Sequence, residues 1–525
     1  MMMKRMGGFC LLTALALPGA VAAQQTPGKE SFVIRRGNDT VAVERFTRTP
    51  ARLEGELALQ GTPMQRFTAE LAPNALVPRF EYSVQATGAS APLVSATVVF
   101  RGDSALATVS APGAPPEQRF APGAGALPYV NLSGALLEQM VRRATVLGGD
   151  SVTVPFFAVA NGQSFRATVR RYGTDSATIT LPPGVELRLR TDVSGRMLGG
   201  CVPAQGITIE RSGVPAPSCS APVADYSAPA GAPYTAQAVT LRAPDGVTLA
   251  GTLTLPRASK PVPAVLLLSG SGAQDRDEAI PGIEGYRPFR QIADTLSRRG
   301  IAVLRLDDRG IGGSGGSVNA TVLPGFAADA EAAIAYLRTR PEIDGKRIGI
   351  VGHSEGGIVG PMVAAKDRSV KALALLAAPA QSGRALVTYQ QRYMIGSDST
   401  IPASARDSLL ALSAVQTDSL AARSPWFGSL IAYDPIPVAR TIKQPVLILQ
   451  GATDRQVPAA QAEELAAAIR SGGNRNVTVR IFPGTNHLFL PDPSGDPRGY
   501  TALPVHSVPP EVLGTLADWL VPRLR

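Results

Sequence analysis

Histidine is nearly absent from this chain: its 525 residues include three, His353, His487 and His506. Everything before residue 353 therefore lacks an imidazole to serve as base or metal ligand. There is no H-E-x-x-H, no G-x-x-x-x-G-K-[ST] loop and no grouping of His and Cys at ligand spacing. The common zinc-hydrolase and P-loop chemistries are excluded, and no metal or cofactor is expected. Cysteine is as rare, with Cys10, Cys201 and Cys219 only. Without a C-x-x-C pair there is neither a zinc ribbon nor a dithiol redox motif. The apolar run Phe9–Leu17 falls short of the ~20 residues that cross a bilayer, and no other segment reads as transmembrane. The net charge is +10, but the arginines that carry most of it are scattered. No basic run is interleaved with aromatics, so nucleic acid is not an expected partner.

What is present begins with an export signal. Lys4 and Arg5 form a basic region, Phe9–Leu17 an apolar core, and Ala20-Val21-Ala22 offers small residues at cleavage-site spacing. Residues 1–23 read as a signal peptide, which predicts a periplasmic or secreted protein. Its removal takes Cys10 away and leaves Cys201 and Cys219. In an exported chain an even pair favours a disulfide, which typically adds about 2–4 kcal/mol.

Residues 24–211 read as a β-rich N-terminal domain. "SFVIRRGNDTVAVERF", "LVSATVVFRGDSALATVSA" and "VPFFAVANGQSFRATVRRYG" each alternate apolar and polar residues on both sides of a Gly, Asn or Asp turn. That pattern predicts antiparallel sheet. One helical stretch, around Leu132 to Leu147, interrupts it. Residues 212–236 are dense in Pro, Ala, Ser and Gly and read as a linker. From 237 to 525 the pattern changes. A hairpin around Asp245-Gly246 leads into short apolar runs at Ala264–Leu268, Ile301–Leu306, Arg347–Val351, Ala372–Leu376, Val446–Leu449 and Val477–Ile481, with helix-spaced segments between them. Strand and helix in alternation predict a mostly parallel sheet covered by helices on both faces, the α/β-hydrolase layout.

"GIVGHSEGGIVG" carries the chemistry. Gly352-His353-Ser354-Glu355-Gly356 follows a strand and precedes a helix, the context of a nucleophile elbow. The glycines remove side chains that would collide with the neighbouring strand and helix. Ser354 is the candidate nucleophile. His353 is not the expected base, because successive residues in a tight turn diverge. Chain order in this fold is Ser, acid, His, which favours His487, in the loop after the last predicted strand, over His506. Asp454, just past Val446–Leu449, is the expected acid; it could instead cap the next helix, and Asp434 is a fallback. The oxyanion hole needs two amides. Glu355 N–H and Ser271 N–H are chosen, with Gly272 as alternative to Ser271. "RGIGGSGG" matches G-x-G-x-x-G, but no helix starts at its third glycine, so it reads as a rim loop rather than a dinucleotide site. Asp308 and Arg309 beside it read as structural.

Almost seventy residues separate Leu376 from Val446, far more than a plain connection needs. Residues from about 380 to 440 therefore read as a helical cap insertion. Trp426, Phe427 and Tyr433 gather in it. Trp426 and Phe427 are expected either to line the acyl or alcohol pocket or to pin the cap to the core.

"LLLSGSGAQDRDE", "RPFRQIADTLSRRGIAVLRLDDRGIGGSGG", "RIGIVGHSEGG" and "AYDPIPVARTIKQPVLILQGATDRQVP" together resemble the EstD-type bacterial esterases of the α/β-hydrolase superfamily. The resemblance spans about 237–525. It implies a cofactor-free carboxylesterase acting on a small-molecule ester, with Ser354, Asp454 and His487 as its triad. A serine peptidase or an acyltransferase would use the same three residues. A rival of another class is an envelope binding protein with an inert hydrolase half. Oligomeric state is not legible.

Overall fold

A computed structural model describes residues 29–525 apart from 38, 61, 87–88, 90, 111–116, 161, 174, 182–184, 216–224, 281–282, 284, 399–400 and 402. The expected signal peptide and Cys219 lie outside the described residues.

The alternation seen in the N-terminal sequence becomes one fifteen-stranded sheet. Arg52–Leu59 shows the physical basis: Leu53, Gly55 and Leu57 turn inwards while Arg52, Glu54 and Glu56 face solvent. The first strand, Glu30–Arg36, pairs with its neighbour Asp39–Arg48 and with the last strand, Ile207–Arg211. First and last strands thus meet in mid-sheet, and antiparallel hairpins run outwards from both. The one parallel pair joins Leu127–Tyr129 to Ser151–Ala158. Its crossover is the helix Gly134–Leu147. The two ends of the sheet approach each other, with the Phe120 ring 4.9 Å from that of Phe157. Glu44 fixes the start of the helix by accepting from Ser133 Oγ at 2.5 Å and Ala135 N at 3.0 Å. Full burial pushes its carboxyl up to about 7 despite those bonds. Cys201 is 3% exposed and disulfide-bonded.

The C-terminal half holds an eight-stranded sheet in the order Tyr234–Arg242, Thr248–Pro256, Ala302–Leu306, Val262–Leu268, Ile343–His353, Ala372–Leu376, Val446–Gly451, Val477–Phe482. Thr248–Pro256 is antiparallel to both its neighbours, and all later pairings are parallel. Strand residues alternate between two cores. Ala264 and Leu266 pack with helices Leu323–Thr339, Gly356–Lys366 and Ala460–Ser471. Val265 and Leu267 pack with helices Pro288–Ser297 and Pro510–Leu524 on the other face.

One boundary differs from the sequence reading. The first strand starts at Tyr234, inside the segment read as linker, because Tyr234 is buried and its hydroxyl donates to Asp294 at 2.7 Å. "PWFGSLIA" is a helix, Pro425–Ala432, with Ser424 Oγ capping the Phe427 amide. Between Leu376 and Val446 the chain also forms helices Gly383–Gly396, Ala403–Arg423 and Ile436–Ala439. The N-terminal sheet touches this half through Asp39 with Ser317 Oγ at 2.7 Å and through Arg423 with the Thr62 carbonyl at 2.8 Å.

Candidate active site

Strand Ile343–His353 runs directly into Ser354, which holds φ at +51°. A side-chain-bearing residue rarely takes this left-handed backbone, and it persists where the surroundings over-determine it. The glycines explain how the turn closes. A Cβ on Gly352 would strike the Gly356 carbonyl, and one on Gly356 would strike that of Leu268. The Ser354 amide donates to the Leu376 carbonyl at 2.8 Å, and the side chain stays partly exposed. Helix Gly356–Lys366 starts immediately after it.

Asp454 and His487 come together from the ends of neighbouring strands. His487 Nδ1 lies 2.7 Å from Asp454 Oδ2, and both residues are under 5% exposed. The other carboxylate oxygen of Asp454 accepts Gln456 N at 2.7 Å and Val457 N at 2.8 Å. Gln450 Nε2 donates to Oδ2 at 2.8 Å. Asp454 does not cap the next helix, Ala460–Ser471, which starts at Ala459 without a side-chain cap; its Oδ1 instead closes the turn that leads to it. The His487 loop is braced by Asn486, whose Oδ1 accepts Leu488 N and Leu490 N, both at 3.0 Å. His506 lies elsewhere, in the loop before helix Pro510–Leu524, and Asp434 is exposed, accepting the Ile436 amide at 3.0 Å.

The loop after Val262–Leu268 approaches the serine closely. A Cβ on Gly270 would lie 3.3 Å from Ser354 Cβ. The Gly270 amide is taken by Glu278 Oε1 at 2.6 Å. Among the described residues, neither Ser271 N–H nor Glu355 N–H donates to another group. Ser269 Oγ and Gln274 N both donate to Asp308, at 2.8 and 2.9 Å, so this acid braces the loop. Burial pushes the Asp308 carboxyl well above its ordinary value, and Glu355 adds to the rise. Arg309 is paired to Asp245 and Asp329 at 2.6 Å each. The amides of the glycine loop turn inwards: Gly313 N donates to Asp307 at 3.0 Å and Gly315 N to the Thr248 carbonyl at 2.8 Å.

Glu355 is buried, and its Oε2 accepts from Trp426 Nε1 at 3.0 Å. Burial pushes its carboxyl up to about 7, and the indole bond pulls the other way. Trp426 thus sits beside the serine turn, with the Phe427 ring 6.1 Å from its own. A cavity of about 70 Å³ lies among Gly270, Gly272, Asp308, Phe326 and Glu355.

Sequence reasoning missed Glu278. It is 3% exposed, holds φ at +56° and places Oε1 2.8 Å from His353 Nδ1. The only signal for it was its place in the "QDRDE" run. His353 is not near Asp454 by any hydrogen bond; its Nε2 faces the His487 carbonyl at 3.1 Å.

The strand order, the antiparallel second strand and the serine turn ahead of a helix make the C-terminal half an α/β hydrolase. Comparison with known proteins agrees. The prolyl oligopeptidase family model matches residues 288–498. Esterase EstD of Thermotoga maritima is 28% identical over 287 residues, which cover 52% of this chain and 65% of EstD. The match thus spans just under two thirds of that relative's length. The Pyrococcus furiosus esterase Pf2001 aligns with a TM-score of 0.42 at 17% identity, covering 58% of this chain and 97% of its own. The esterase domain of a Rhodothermus marinus protein aligns with a TM-score of 0.36 at 20% identity, covering 55% and 99%. The C-terminal half is thus similar to an EstD-type esterase.

Proposed function

We propose that the protein is an exported serine hydrolase that cleaves small carboxylic esters with Ser354, His487 and Asp454. The observations that carry this reading are the buried 2.7 Å bond between His487 Nδ1 and Asp454 Oδ2 and the strained serine turn, with Ser354 at φ +51°. Asp454 holds the imidazole with Nε2 free to accept a proton. His487 takes the proton of Ser354 as its Oγ attacks the ester carbonyl. The tetrahedral oxyanion is held by Glu355 N–H and Ser271 N–H. The C–O bond breaks, and the leaving alkoxide takes the proton from His487. Water then attacks the acyl-enzyme, His487 accepts its proton, and Ser354 departs with that proton as the acid is released.

The helices between Leu376 and Val446 form a cap in this reading. Trp426 and Phe427 line the acyl or alcohol pocket, supported by the Trp426 bond to Glu355, the residue after the nucleophile. Export is supported by the charge and apolar pattern of residues 1–23 and by the disulfide-bonded state of Cys201; Cys219 is its proposed partner.

A second reading, peptide hydrolysis by the same three residues, is favoured by the prolyl oligopeptidase family match over 288–498. A panel of p-nitrophenyl esters beside aminoacyl-anilides separates the two. Turnover of esters with no turnover of anilides is the expected result. The reverse would replace esterase by peptidase.

A further inference from the structure

His353 stands next to the nucleophile, yet both of its ring nitrogens face oxygen acceptors. Nδ1 lies 2.8 Å from Glu278 Oε1, and Nε2 lies 3.1 Å from the carbonyl oxygen of His487. A carboxylate and a carbonyl cannot donate, and a neutral imidazole has a single N–H. Both contacts are hydrogen bonds to an ionised Glu278 only when both ring nitrogens carry protons. The same Glu278 oxygen accepts the Gly270 amide at 2.6 Å. One buried network of contacts therefore joins three loops from different strands. These are the Gly270 loop that carries Ser271, the turn of Ser354, and the loop of His487.

The local backbone is shaped for this contact. Glu278 holds φ at +56°, a conformation that persists where neighbours over-determine it. At residue 270 a Cβ would stand 3.1 Å from Glu278 Oε1 and 3.4 Å from His353 Nδ1, so a glycine lets the carboxylate reach the amide. The His353 and His487 rings lie with centroids 5.0 Å apart.

We propose that His353 and Glu278 are positioning residues, an imidazolium–carboxylate pair that sets the base loop and the oxyanion loop against Ser354. The proposal rests on the esterase reading for its kinetic consequence and stands without it for its protonation state. Burial works against a charge on His353, but the adjacent Glu278 carboxylate outweighs it and raises the imidazole above its ordinary value. Neither residue touches the reacting atoms. Their loss acts by misplacing groups that do, and a small misplacement is expected to cost about 10–100-fold.

Two measurements test this. In the full-length wild-type protein labelled with ¹⁵N-histidine, ring-nitrogen NMR at pH 7 should show His353 with both nitrogens protonated. His353→Gln, His487→Gln and His506→Gln assign the three rings. In kinetics with p-nitrophenyl acetate, His353→Gln and Glu278→Gln should each lower kcat about 10–100-fold with KM nearly unchanged. Fluorophosphonate labelling of Ser354 should slow by a similar factor. A single neutral tautomer at His353 in wild type overturns the proposal even where the variants fail to fold. So do folded variants whose kcat is unchanged while the melting temperature falls, since that marks a merely structural pair. Wild-type protein that hydrolyses no ester and takes no label would overturn the esterase reading instead, leaving the NMR result to decide the pair.

Discussion

Replacing Glu355 by glutamine should stabilise the hydrolase half at alkaline pH and leave it unchanged in acid. Glu355 is 8% exposed, and burial pushes its carboxyl from an ordinary 4.5 up to about 7. The folded state thus holds this proton more tightly than the unfolded chain does. As pH rises from 4.5 towards 7 the unfolded chain gives up the proton while the folded one keeps it, so stability falls through that window and stays lower above it. At about 1.36 kcal/mol per pH unit, the deficit above pH 7 is about 3 kcal/mol. Glutamine has no such titration, and its amide oxygen can still accept from the Trp426 indole. Both tryptophans, Trp426 and Trp519, lie in the hydrolase half, so their fluorescence during urea unfolding reports that half alone. The variant should match wild type near pH 4.5 and exceed it by about 3 kcal/mol at pH 8. An equal difference at both pH values, or none at either, would refute the reasoning.

Asp454→Asn should keep the fold, since Oδ1 can still accept Gln456 N and Val457 N, but should lower kcat about 10⁴-fold by favouring the wrong tautomer of His487; steady-state ester hydrolysis checks this. Gly356→Ala drives a Cβ into the Leu268 carbonyl and should cost at least about 3 kcal/mol, the upper range for overpacking. Gly396→Ala, with nothing within 4 Å of its Cβ, should change the melting temperature little. Trp426→Ala should shift the ratio of kcat/KM between short and long acyl esters by about 1–3 kcal/mol. A chain-length profile unchanged from wild type would remove Trp426 from the pocket.

The strands of the hydrolase half were legible because they are short apolar runs closed by turn residues. Arg347–Val351 falls inside the observed Ile343–His353, and Ala372–Leu376 matches it residue for residue. The turn around Ser354 was legible because only glycine fits at positions 352 and 356, and that need is written in the spacing. In the N-terminal sheet the three hairpins pair as their turns suggest, but which distant strands meet was not legible. Glu30–Arg36 meets Ile207–Arg211 across most of that domain, and alternation alone carries no register between distant strands. Helix Pro425–Ala432 had a visible start in Ser424-Pro425, a capping residue followed by a proline at the first helical position. Glu278 was hidden for a different reason. A lone acid in a polar loop looks solvated, and its partners Gly270, His353 and the His487 loop come from separate strands.

The central claim is that Ser354 is a nucleophile activated by His487. Reaction of the full-length protein with a fluorophosphonate, followed by peptide mass spectrometry, tests it most directly. Wild type should carry one label, on Ser354, and His487→Ala in folded protein should label orders of magnitude more slowly. A label on another serine, or equal labelling rates in the two proteins, would contradict the account.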